Sequence, residues 1–113
     1  MSTARRMGWA LALGLSLQPA CAVLVYPTEL HTAWAAERWP DVTLAELQAG
    51  REAYVDICSG CHTLVRPETH APEDWPDLVK EMEEEQEVRL EPAERQMILR
   101  YLEAASAIPV VPR

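Results

Sequence analysis

A chain of 113 residues that opens on a targeting pattern has room for one small domain. Its 18 acidic against 10 basic side chains, a net charge of −8, exclude nucleic acid and anionic lipid headgroups as natural partners of its surface. Phe is absent and the three cysteines are too few for a disulfide scaffold, so a core this small would gain from burying an apolar cofactor.

Residues 1–6 are short and basic (Arg5, Arg6), residues 7–17 (MGWALALGLSL) form an apolar run, and Ala20 and Ala22 make a small-x-small exit. That order is a secretory leader, which assigns residues 1–22 to export. Three fates are open: cleavage after Ala22, lipidation at Cys21, or retention of residues 9–26 as an anchor. Each puts the rest of the chain outside the cytoplasm, in the periplasm or at its membrane. Beyond Ala22 the acidic excess grows to a net −10, a surface suited to basic partner proteins.

Residues 23–42 lack a sustained period and contain Pro27 and Pro40, so they read as a linker with a short helical piece around Ala33–Arg38. Thr43 with Glu46 three residues on is a capping-box pattern that starts a first main helix at Leu44. Leu44, Leu47, Tyr54 and Ile57 share a face with the small Gly50 and Ala53, and the helix ends around Cys58–Gly60. Residues 63–72, with Pro67 and Pro72, read as an irregular loop. A second helix begins near Glu73–Pro76, where Pro76 is tolerable only in the first turn. Trp75, Leu78, Val79 and Met82 fall at i, i+3, i+4 and i+7 on one face of it. It runs out in the acidic stretch 81–87 (EMEEEQE). Pro92 opens a third helix whose apolar face is Met97, Ile98, Tyr101, Leu102 and Ala105, closed by Pro109 and Pro112. The expected architecture is all-α, with residues 43–107 as the domain and 108–113 as a tail.

Cys58-Ser59-Gly60-Cys61-His62 is C-x-x-C-H, the attachment motif of c-type haem. Two thiols that add across two vinyl groups on one porphyrin edge must sit about a helical turn apart. The histidine directly after the second thiol is then carried to the iron as an axial ligand. C-x-x-C by itself also serves zinc and thiol redox sites. Here His62 follows directly, no strand–helix alternation is present, and no second cysteine pair exists to complete a zinc tetrahedron. The expected cofactor is one covalent haem c with its iron, held by Cys58, Cys61 and His62.

Candidates for the second axial position are Met82, Met97 and His70. Met82 stands where its helix runs out beside the Trp75–Leu78–Val79 face, so its sulfur can turn toward a ring covered by that face. Met97 lies mid-helix, where core packing is the simpler role. His70 lies only eight residues beyond His62, in a Pro-bounded loop. Arg66, Arg89 and Trp75 are either haem propionate partners or ordinary surface and core residues, and Pro67 and Pro72 either lie near the carbonyl that orients His62 or simply shape the loop. The five glutamates Glu81, Glu83, Glu84, Glu85 and Glu87 are either a guide for a basic redox partner or a solvated helix end.

Over residues 43–106 these patterns resemble the small class I cytochromes c: Gly50-x3-Tyr54-x3-Cys58-x2-Cys61-His62, Trp75-x3-Val79-x2-Met82 and Leu90-x3-Glu94-x3-Ile98-x2-Tyr101-Leu102. The resemblance implies a cytochrome c fold of about three main helices. It implies that the first and last helices cross near Gly50 with Tyr101 close by, and that Met82 is the distal ligand. The function it implies is a monohaem single-electron carrier between exported or membrane-bound redox partners, not an enzyme. Two rivals differ in class: a haem sensor or enzyme subunit with an open sixth position, and a C-x-x-C thiol-disulfide oxidoreductase.

Overall fold

The computed structural model describes residues 24–59 and 63–109. They form four α-helices: α1 (Glu29–Ala36), α2 (Leu44–Cys58), α3 (Trp75–Glu85) and α4 (Pro92–Ala107). Two 3-10 turns, Pro67–Thr69 and Pro72–Asp74, lie between α2 and α3. The described residues are therefore all-α. The leader at 1–22, with Cys21, lies outside the described residues, as do Gly60, Cys61 and His62 of the haem motif and residues 110–113 of the tail.

The helix starts follow from local chemistry. Thr43 caps α2 by accepting the Glu46 N–H at 3.1 Å. The Glu46 side chain, however, is held by Arg100 of α4 at 3.0 Å, so this glutamate ties two helices together. Pro76 falls in the first turn of α3 and Pro92 is the first residue of α4, where a missing N–H costs nothing. At the start of α4 the Glu94 carboxylate accepts the Glu91 N–H at 3.1 Å, one half of a capping box. The helix α3 ends with Glu87 in the left-handed region at φ 53°, one residue beyond the Gln86 cap.

The centre of the fold is the crossing of α2 on α4. A Cβ on Gly50 would stand 2.1 Å from the Met97 carbonyl oxygen and 2.9 Å from Tyr101 Cβ. Only glycine permits this approach, as the resemblance implied. Around the crossing, Tyr54, Trp75, Val79, Ile98, Tyr101, Leu102 and Ala105 form one buried cluster. The three large rings pack tilted or edge-on, with Tyr54 6.4 Å from Trp75 and 6.3 Å from Tyr101 between centroids. Each ring's polar tip reaches a carbonyl: Tyr54 Oη donates to Val65 (2.5 Å), Tyr101 Oη to Val25 (2.8 Å) and Trp75 Nε1 to Pro67 (3.2 Å).

The segment read as a linker is packed. Leu24 and Val25 join the central cluster, while Ala35 and Val42 form a second cluster with Leu47 of α2 and Ala104 of α4. The helix α1 is longer than the short piece expected and begins four residues earlier, at Glu29. His31 is fully buried: its Nδ1 accepts the Thr28 N–H at 3.0 Å, and its Nε2 donates to the Ile108 carbonyl at 2.8 Å. Pattern reading missed this segment because its buried residues are few, small and irregularly spaced. One of them is a histidine, and the contacts that bury it come from the far end of the chain.

Candidate functional site

The helix α2 delivers Cys58, its last residue, to the wall of a small, nearly closed apolar recess. Tyr54, one turn earlier, lines the same recess. The helix α3 contributes Val79 and Met82, α4 contributes Ile98 and Leu102, and the α3–α4 loop contributes Val88 and Leu90. The recess is thus enclosed by apolar faces of three helices, with a thiol on one wall and a thioether on another.

Sequence candidates separate cleanly by place. Cys58 and Met82 meet at the recess. Cys61 and His62 lie outside the described residues, directly beyond the helix that ends at Cys58. Met97 does not line the recess; its backbone carbonyl forms the crossing against Gly50. His70 is also elsewhere, with its ring edge-on to Trp75 at 5.3 Å and its carbonyl accepting from Ser106 Oγ. Trp75 has its indole N–H committed to Pro67, which removes it as a propionate donor. Arg66 is paired with Glu68. The Pro67 carbonyl, one of two candidates to orient His62, already accepts that indole N–H.

The polar groups at the recess are few and tied down. Burial pushes the Tyr54 phenol well above its ordinary range, and the neighbouring Cys58 adds to the shift. Glu83 lines the recess, and its carboxyl is held below the usual range by hydrogen bonds from Arg95, whose Nε donates to Glu83 Oε1 at 2.6 Å. The same Arg95 reaches the Leu90 carbonyl at 3.4 Å, so one guanidinium fastens the end of α3 to the loop before α4. This pair joins residues on two different helices, and no sequence spacing announces it.

This donor set fits a covalently attached haem. The thiol that starts the attachment motif is on the wall, a soft sulfur ligand is within the same enclosure, and the lining between them offers apolar contact to a porphyrin face. Among the described residues no helix is long and apolar enough to cross a membrane.

A family model described as Dihaem cytochrome c matches residues 54–110, from the recess tyrosine to just past the end of α4. No curated protein and no solved structure matches the chain. The family match corrects the expectation of a monohaem class I cytochrome carrying a single haem c, because this family is described by two haems. The pentapeptide and the helical pattern gave the redox class and the fold; the haem number was read from counting one motif. The 113 residues contain one C-x-x-C-H, so the second haem in the family's description has no motif of that kind within them. The match also removes the thiol-disulfide reading of the cysteine pair.

Proposed function

The chain belongs to the dihaem cytochrome c family, and on that premise we propose that residues 58–62 attach a haem in the recess between α2, α3 and α4 for electron transfer. Cys58 and Cys61 would carry the thioether bonds, and His62 and Met82 would hold the iron. The observation that carries this reading is that Cys58 and Met82, 24 positions apart, line one apolar enclosure, while Met97 and His70 do not. A haem in that place supplies reversible one-electron chemistry at iron. The chain's part is to hold it, shield it from water and set its potential.

Each wall has a separate task. Val79, Ile98 and Leu102 exclude water, which keeps the charge change at the iron poorly solvated and reorganisation small. Met82, as a thioether, raises the potential relative to bis-histidine ligation. Tyr54, held by Val65, fixes the end of α2 from which the attachment segment departs. Export follows from the same chemistry, since thioether formation occurs outside the cytoplasm and residues 1–22 have the order of a leader. The partners are redox proteins with basic docking surfaces, and nucleic acid is not among them.

The test is the visible spectrum of the purified oxidised protein. Sulfur ligation gives a weak long-wavelength charge-transfer band, and Met82→Ala should abolish it, lower the potential and let the reduced iron bind carbon monoxide rapidly. Met97→Ala and His70→Ala should leave the band in place. A band that survives Met82→Ala would overturn the ligand assignment.

A further inference from the structure

Met82 faces two spaces. One is the enclosed recess; the other is an open groove along α3, lined by Leu78, Met82, Glu81, Glu85 and Gln86. The floor of this groove is apolar and its rim is anionic. Glu81 and Glu85 are exposed and lie one turn apart along it. The other glutamates of the run are placed differently. Glu83 turns inward to Arg95, and Glu84 makes a loose exposed pair with Lys80 at 3.9 Å.

We propose that this groove is where the electron-transfer partner docks, and that the partner presents an apolar tip ringed by positive charge. The inference rests on the haem reading above and names the partner surface for that site. Two observations meet here. The groove shares Met82 with the recess, so a partner seated in it touches a residue of the recess wall. The rim charges are of one sign, so an apolar tip bearing lysine or arginine gains in both burial and Coulomb energy, and a neutral or anionic tip does not. Leu78 supplies the apolar contact that an acidic cluster alone would lack.

The groove can be tested with tris(phenanthroline)ruthenium(II), a redox-inert cation with apolar faces, titrated into haem-loaded protein and followed by backbone amide NMR. The largest shifts should map to Leu78, Glu81, Met82 and Glu85. Glu81→Gln with Glu85→Gln should weaken binding about tenfold at low salt, and the difference should shrink as salt is raised. Glu29→Gln with Glu37→Gln, two acids lost from the α1 region, should change it little. The cobalt(III) analogue, which takes one electron from the reduced haem iron and becomes cobalt(II), should show the same ordering in its bimolecular rate. Shifts spread over all acidic surfaces, or equal losses in both double variants, would overturn the docking site. A preparation that shows covalent haem and its sulfur-to-iron band yet fails this mapping refutes the groove alone. A preparation without haem refutes the site beneath it.

Discussion

Gly50 is the residue on which the fold's geometry turns. Any side chain there meets the backbone carbonyl of Met97, which cannot rotate out of the way as a flexible side chain could. Gly50→Ala should therefore destabilise the protein by about 1–3 kcal/mol, measured by denaturant unfolding, despite alanine's better helix propensity. An unchanged or raised midpoint would mean that α2 and α4 do not approach so closely. His31 makes a second prediction. Burial lowers its pKa from the ordinary 6.5, so the fold prefers the neutral ring, with Nδ1 accepting from Thr28 and Nε2 donating to Ile108. A depressed folded pKa means the stabilisation is complete above pH 6.5 and is lost as pH falls through the depressed value. Glu103, whose pKa burial raises, acts in the opposite sense, losing stability as pH rises. His31→Leu isolates the histidine's contribution. It should cost about 1–3 kcal/mol near neutral pH by leaving two backbone groups unpaired, and the gap to the parent protein should narrow under acid. A gap that stays constant between neutral and mildly acidic pH would contradict the preference for the neutral ring.

At the scale of elements, the helices are held by a few cross-helix polar ties as well as by the core. Arg100 of α4 is buried and reaches both Glu46 of α2 and Asp41 of the preceding loop, at 3.0 Å and 3.3 Å. Arg100→Leu would leave the half-buried Glu46 carboxylate without its partner. Thermal unfolding should show a loss of about 1.5–3 kcal/mol, with the haem spectrum intact because Arg100 does not line the recess. The end of α3 offers a change in the other direction. Glu87 occupies a left-handed backbone position that glycine fills without strain, so Glu87→Gly should stabilise by about 0.5–1 kcal/mol. A loss of stability there would mean that the carboxylate has a structural contact worth more than the strain. Much of this level was legible beforehand. Thr43, Pro76 and Pro92 mark helix starts by their own chemistry, and the Trp75–Leu78–Val79–Met82 period marks the buried face of α3. The Glu46 half of the capping box was misread because its true partner, Arg100, is 54 residues away. The packing of residues 24–42 was hidden for the same reason, since Tyr101 and Ile108 hold that segment from the opposite end of the chain.

For the whole molecule, the helices gather a thiol, a thioether and an apolar lining into one place, and put a run of carboxylates on the outside of it. The attachment motif was legible because covalent haem chemistry constrains its spacing tightly, and the place of Met82 on the recess wall follows the helical period of α3. The number of haems could not be found that way, since it belongs to the family to which the chain belongs and not to any local pattern. The polar clamp of Glu83 and Arg95 beside the recess was equally invisible, being a contact between two helices. The most direct test of the central claim is peptide mass spectrometry of the exported protein, produced in a host that matures c-type cytochromes. The peptide spanning residues 58–62 should carry the mass of a haem, and Cys58→Ser with Cys61→Ser should remove it from that peptide. An unmodified peptide 58–62 from the mature protein would mean that no haem is attached there.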